Sequence, residues 1–200
     1  IPLQGLKRAL NTLLPQAIRV LEVSEAKPDF HARFSPKKRT YLYIIYNHEF
    51  CPPFLYRHVH WIRRKLDLKK MRKSLDYLVG EHDFEAFCEK EEKKLSYVRR
   101  IYSIKLKKQK DYVLIKVQGS GFLRRMVRVI VGTAIAIGSY HDVPPLMMKT
   151  ILDSKDRTRN PFATAPANGL YLFQVNFDGA SKPFLFFKKV FLPLKKFLKL

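Results

Sequence analysis

The chain has 200 residues, with 39 Lys and Arg against 17 Asp and Glu, so its formal net charge is +22. A hydrophobic content of 46% is enough to build a packed core, which excludes a disordered basic tail. Such an excess of positive charge indicates an anionic partner, most commonly nucleic acid and next an anionic membrane surface. Two cysteines, Cys51 and Cys88, are too few for a disulfide framework or a zinc site and predict a reducing, cytoplasmic setting. No apolar run is long enough to span a membrane.

The first fifty residues predict one helix and two strands. Residues 2–14 place leucines at helical spacing, and Pro15 ends the helix. Residues 17–23 are expected to form a short strand. Residues 37–47 alternate between β-branched or aromatic residues on two faces, which predicts a strand with Tyr41 and Tyr43 on the same side.

The middle of the chain predicts a loop, a helix and a hairpin. Residues 52–64 are expected to be a loop with surface histidines. Asp67 is a good N-cap for a helix that ends at Gly80, and residues 81–87 are expected to form a loop or short helix. The charged run 85–94 is interpreted as a solvated surface. Two alternating segments then predict a hairpin over residues 100–117.

An apolar helix is expected next. Residues 126–137 are apolar at nearly every position, which is typical of a buried helix. Arg128 would then lie inside the protein, where it needs a carboxylate or phosphate because it cannot lose its charge. Two interpretations stay open. Either Arg128 closes a structural ion pair and Arg124 and Arg125 are solvated, or the helix start faces an anion at the floor of a cleft.

The remaining segments complete an α+β pattern. A helix is expected to open at Asp142 or Pro144, and residues 170–177 are expected to form a final strand. Residues 181–200 contain six lysines, five phenylalanines and no acidic residue, so this tail is expected to be disordered or an amphipathic surface helix. The mixed order of elements predicts an α+β fold with a mostly antiparallel sheet and helices on one face.

Five ordered groups of residues resemble the TruA family of tRNA pseudouridine synthases. They are DFHARFS at 29–35, RTYLY with IYN at 39–43 and 45–47, LVGEHDF at 78–84, GFLRRMVR with IVG at 121–128 and 130–132, and DR with TAPANGLYL at 156–157 and 164–172. The resemblance covers residues 1–177 and implies the pseudouridine synthase fold. It also implies a cofactor-independent, metal-free isomerase that converts uridine to pseudouridine at positions 38–40 of the tRNA anticodon stem-loop.

The resemblance also assigns roles to residues. Tyr41 lies at the position of a tyrosine that stacks on the target base, and Arg128 lies at the position of an arginine that pairs with the catalytic aspartate. Phosphate contacts are expected at six basic residues: Arg33, Lys37, Lys38, Arg39, Arg124 and Arg125. The implied partners are tRNA and a second copy of the chain, with membrane attachment only a weaker idea for the basic tail.

The chain departs from the family in one respect, since the family's catalytic aspartate lies in a "GRTDAGVHA" motif that these 200 residues lack. We therefore expect residues 1–47 to be the remainder of an N-terminal catalytic half, 48–178 the C-terminal half and 179–200 the tail. Alone, the chain is expected to be inactive and to aggregate or oligomerise. The alternative hypothesis is a catalytically dead module that binds tRNA.

Overall fold

The computed structural model describes residues 2–90 and 96–177. The chain divides into two compact units, Ile1–Ser35 and Pro36–Leu200. The predicted boundary between residues 47 and 48 separates two halves of a catalytic fold, which is a different division from these compact units. It stays a prediction.

The first unit contains one helix, α1 (Leu3–Leu13), as predicted. The strand predicted at residues 17–23 is wrong, because this segment has no regular structure. A strand needs a neighbouring backbone to satisfy its polar groups. Here the backbone of Val20, within this segment, pairs with a side chain instead, since the amide of Asn11 donates to Val20 O and accepts from Val20 N, both at 2.9 Å.

The second unit is built on one six-stranded sheet with the order β2-β1-β5-β4-β3, and β6 also pairs with β1. Every pairing is antiparallel except that of β1 with β2, which confirms the mostly antiparallel prediction. The strands are β1 (Lys38–Tyr46), β2 (His60–Trp61), β3 (Gly80–Asp83), β4 (Val98–Gln109), β5 (Tyr112–Gly119) and β6 (Leu170–Asn176).

Three helices lie where helices were predicted: α2 (Leu68–Asp76), α3 (Met126–Ser139) and α4 (Met147–Ser154). The predicted end of α2 at Gly80 and the predicted start of α4 at Asp142 or Pro144 are wrong, because α2 ends at Asp76 and α4 begins at Met147. Asp67 caps α2 by accepting from Lys69 N and Lys70 N at 2.9 and 3.0 Å, as predicted. Short 3₁₀ turns lie at Glu85–Phe87, Arg157–Arg159 and Ala167–Gly169.

The two faces of the sheet have different covers. The helix face carries Tyr43 and Ile45 of β1 and packs in one large core with side chains of α2, α3 and α4. The loop face carries Leu42 and Ile44, and its smaller core is covered by residues from the segment 47–61. Helices of this unit therefore pack on one face, as expected.

Two short strands, β2 and β3, lie where no strand was predicted. β2 lies inside the predicted loop 52–64, and β3 lies where a loop or short helix was expected. The interpretation of the run 85–94 as a solvated surface is wrong over its described part, because Ala86, Phe87 and Cys88 are buried. Residues 91–95 and the predicted tail 179–200 lie outside the described residues.

Candidate active site

Tyr41 lies on the helix face of β1, two residues before the buried Tyr43. Its ring is half-buried and meets the ring of Phe122 edge to face, with centroids 5.1 Å apart. Phe122 belongs to the segment that joins β5 to α3. The tyrosine predicted to stack on a base is therefore a fixed ring at the edge of the core.

Arg128 lies in the first turn of α3 and is half-buried. Its Nε donates to Ala165 O at 2.7 Å, and Ala165 N donates to Arg128 O at 3.1 Å. The backbone around Ala165 is thus bonded to both the side chain and the main chain of the arginine. These contacts fix the guanidinium more firmly than a solvated arginine could be fixed.

Gly132, one turn further along α3, makes this close approach of the two backbones possible. A Cβ atom at Gly132 would lie 2.1 Å from Ala163 O and 3.0 Å from Ala165 N. Any side chain would push residues 163–165 away from the helix. Gly132, the last residue of the GFL…IVG pattern, therefore allows residues 163–165 to lie close enough to α3 for Ala165 to bond Arg128.

Tyr43 connects this segment to the sheet. Its hydroxyl donates to Pro166 O at 2.8 Å, and its ring is fully buried. Burial raises the pKa of Tyr43 well above its ordinary value, and the nearby charge of Arg128 acts in the opposite direction. Arg128 is therefore close to β1 on the same face of the sheet as Tyr41.

The predicted anionic partner of Arg128 stays a prediction. Within residues 2–90 and 96–177, Arg128 forms no ion pair with Asp or Glu, and its bonding partner is a backbone carbonyl. The interpretation of Arg128 as half of a structural ion pair thus finds no support in the described part of the chain.

Arg124 and Arg125 differ from the arrangement expected for them. Both precede α3, and Arg125 has a left-handed backbone with φ of 59°, so they do not extend the helix face of Arg128. Their Nε atoms lie 2.8 and 3.3 Å from Glu89 Oε2. Glu89 is 35 positions away from Arg124, and no local pattern predicts this pairing. The predicted phosphate contacts of both arginines are not tested by these ion pairs.

The other predicted RNA contacts lie in two places. Lys37, Lys38 and Arg39 stand at the start of β1, where Arg39 Nη1 donates to Ser120 O at 3.3 Å. Arg33 belongs to the first unit, where its guanidinium lies over the ring of Phe34, 5.6 Å from the centroid.

A groove of about 1090 Å³ follows α3 beyond the turn of Arg128. It is lined by Gly132, Ile135, Ala136 and Ser139 of α3, by Tyr140 just after that helix, by Glu49, by His60–Arg64 and by residues 161–166. His60 is half-buried rather than a surface residue as predicted, and burial lowers its pKa to about 4. The imidazole is therefore neutral at pH 7, beside the edge of the Tyr43 ring. Among the described residues, no group of three or more His, Cys, Asp or Glu is arranged to hold a metal ion.

A family model described as tRNA pseudouridine synthase matches residues 75–178. A protein of Caldicellulosiruptor saccharolyticus named tRNA pseudouridine synthase A is 40% identical over 175 residues, which are 88% of this chain and 71% of that protein. A Thermoanaerobacter protein of the same name is 38% identical over the same shares. One from Coxiella burnetii is 42% identical over 167 residues, which are 84% of this chain and 63% of that protein.

Proposed function

The chain belongs to the family of tRNA pseudouridine synthases, and from this premise we propose that the protein isomerises uridine to pseudouridine at positions 38–40 of the tRNA anticodon stem-loop. In this reaction the bond from C1′ to N1 breaks, the uracil turns, and a bond from C1′ to C5 forms. N1 gains a proton and C5 loses one, so the atoms balance without a co-reactant.

The observation that carries the proposal is the placement of Arg128. A guanidinium that is half-buried, bonded to Ala165 O and close to Tyr43 is held in one position. In a partly dry site such a charge strongly favours an anion beside it. We assign Arg128 the task of orienting and keeping ionised the carboxylate that serves the exchange of the C1′–N1 bond for the C1′–C5 bond.

Tyr41 has the complementary task of receiving the base. Taking a uracil out of its stack is unfavourable, and a fixed aromatic face offsets part of that loss. The edge contact with Phe122 leaves the orientation of the Tyr41 ring defined. Tyr41 therefore selects the planar base, and Arg128 serves the group that reacts with it.

The carboxylate itself is proposed to come from outside these 200 residues, which contain no Gly-Arg-Thr-Asp segment. Asp83 and Asp156 are engaged in local turns, since Asp83 accepts from Glu85 N at 2.9 Å and Asp156 accepts from Thr158 N at 2.9 Å. We accordingly expect the chain alone to bind tRNA without converting it.

Partners and setting follow as further parts of the proposal. The tRNA is the substrate, a homodimer is the expected assembly, and the cytoplasm is the expected compartment. Large apolar side chains such as Phe54 and Leu172, 76% and 50% exposed, support association with another chain. No helix in the described ranges is both long and apolar enough to cross a bilayer.

The test is loss of tritium from C5 of labelled uridine in tRNA, measured for this chain and for the full-length gene product. The proposal is supported if the full-length protein releases tritium and the 200-residue chain does not. Tritium release by the 200-residue chain would show that its nucleophile lies within these residues. If neither converts tRNA while both bind it, the protein is an RNA-binding module instead.

A further inference from the structure

Four adjacent strands of the sheet carry no acidic residue, and three of them carry positive charge. Strands β1, β4, β5 and β6 contain eight Lys and Arg residues and no Asp or Glu. The eight are Lys38, Arg39, Arg99, Arg100, Lys105, Lys107, Lys108 and Lys116. Since like charges repel, such a sheet is more easily explained if it meets a polyanion.

Part of this charge lies at the strand ends beside the candidate active site. Arg39 and Arg99 both approach Gly121, where a Cβ atom would lie 3.7 Å from Arg39 Nη1 and 3.8 Å from Arg99 Nε. The neighbouring Lys38 points to the loop face, with its Nζ 5.3 Å from the centre of the Tyr102 ring. Positive groups therefore continue from the helix face around the strand ends to the loop face.

On the loop face the charge continues as a row of lysines. Lys105 and Lys116 are direct cross-strand partners, and Lys107 follows two residues later on the same face of β4. Like charges placed directly opposite each other are destabilising. Burial, and secondarily the charge of Lys105, lowers the pKa of Lys116. Lys116 also lies over the ring of Phe173, 5.3 Å from its centre.

We propose that Lys38, Arg39, Arg99, Lys105, Lys107 and Lys116 form a basic track that binds the phosphate backbone of the tRNA outside its anticodon stem-loop. The inference rests on the proposed function, because it extends the binding surface for the same substrate. The track begins at strand ends beside Tyr41 and leads away from it, so it is placed to contact RNA that the target stem-loop does not include.

The chemistry of the track favours RNA over a membrane, since the exposed Phe50 and Phe54 belong to the segment 47–61 and not to the strands of the track. A peripheral membrane surface needs apolar side chains that enter the lipid, together with its lysines. The track instead combines lysines with a single partly exposed tyrosine, Tyr102, which is 38% exposed and can stack on an unpaired base.

The experiment compares two triple variants of the 200-residue chain. One is Lys105→Gln/Lys107→Gln/Lys116→Gln, and the charge-matched control is Lys65→Gln/Lys69→Gln/Lys73→Gln at exposed positions in and just before α2. Affinity for full tRNA and for its isolated anticodon stem-loop is measured by fluorescence anisotropy at several salt concentrations. The melting temperature of each variant is recorded to verify folding.

For the track variant, we expect the slope of log K against log[salt] for full tRNA to fall by about 2, because each lost phosphate contact removes about 0.7–0.9. Stem-loop affinity should change less than about twofold. The variant should melt close to the temperature of the unsubstituted chain, because the loss of the contact between Lys116 and Phe173 is offset by the loss of the repulsion between Lys105 and Lys116.

Three results would overturn the proposed track. The track variant could lose equal affinity for full tRNA and for the stem-loop, the control variant could lose as much tRNA affinity as the track variant, or the track variant could lose no tRNA affinity. Binding of both variants to phosphatidylserine vesicles is also measured by co-sedimentation. Retained tRNA binding with lost vesicle binding in the track variant would assign the surface to a membrane and also overturn the track. Failure of the proposed function is distinguishable, because the full-length protein would then release no tritium from tRNA, whatever the two triple variants show for binding.

Discussion

The helix face and the loop face of the same sheet hold positive charge in opposite ways. On the helix face, one guanidinium, that of Arg128, is half-buried and fixed by Ala165. On the loop face, Lys105 and Lys116 oppose each other across two strands that contain no acidic residue. A single charge fixed by packing suits chemistry at one atom, whereas a row of charges suits a long polyanion. Changes to packing on the helix face should therefore reduce stability or activity. Changes to charge on the loop face should alter only RNA binding.

The largest effect on stability is expected from Gly132→Ala, because the new Cβ would lie 2.1 Å from Ala163 O. Backbone must then move, and we expect a loss of about 3 kcal/mol in the free energy of unfolding, measured by urea titration. Gly121→Ala is the control, since its Cβ would meet only flexible arginine side chains at 3.7 Å or more. Equal stability of the two variants would show that α3 and the segment 163–165 are not tightly packed.

A smaller effect is expected from acid, through His60. Burial lowers its folded pKa to about 4, below the ordinary value of 6.5. Between these two pH values the unfolded chain binds more protons than the folded chain. The contribution of neutral His60 to the free energy of unfolding is therefore complete above pH 6.5 and is lost as the pH falls towards 4. Because His60 is partly exposed, we expect on the order of 2 kcal/mol.

The measurement is urea unfolding at pH 7 and pH 4.5 for the unsubstituted chain, His60→Asn and His58→Asn. The loss of stability at pH 4.5 should shrink in His60→Asn and persist in His58→Asn, because His58 is exposed. An unchanged loss in His60→Asn would mean that the imidazole accepts its proton as easily in the folded protein.

The smallest expected effect on stability comes from removing one tyrosine hydroxyl on each face of the sheet. Tyr43 donates to Pro166 O at 2.8 Å, and Tyr171 donates to His58 O at 2.6 Å. Each change to Phe should reduce the free energy of unfolding by about 1 kcal/mol. Only Tyr43→Phe should also slow tritium release by the full-length protein, because Pro166 adjoins the residue that fixes Arg128. Equal activity of the two variants would contradict the division of labour between the faces.

The sequence predicts the long elements well for physical reasons. The buried helix α3 and the alternating strands β1, β4 and β5 each have a pattern that repeats over many residues. The strand β2 spans two residues and β3 spans four, which is too short for a period to show. The segment 17–23 has the composition of a strand, yet Asn11 satisfies the backbone of Val20.

The candidate site was predictable in its residues but not in its contacts. Arg128 stands out as a charge within an apolar helix, and Tyr41 follows from the family resemblance. The contact of Arg128 with Ala165 and the pairing of Glu89 with Arg124 join residues 37 and 35 positions apart. No periodicity of one segment contains such information, because these contacts arise only when the elements pack.

The central claim is that the fixed guanidinium of Arg128 acts in the chemical step. Its most direct test is the rate constant kcat of pseudouridine formation by the full-length protein carrying Arg128→Lys. The control is Arg72→Lys, an exposed arginine that also donates to a backbone carbonyl, Leu106 O at 3.3 Å. We predict a fall in kcat of about 10²–10³-fold with tRNA affinity nearly unchanged, and no such fall in the control. Turnover of Arg128→Lys at the rate of the unsubstituted protein would contradict the account.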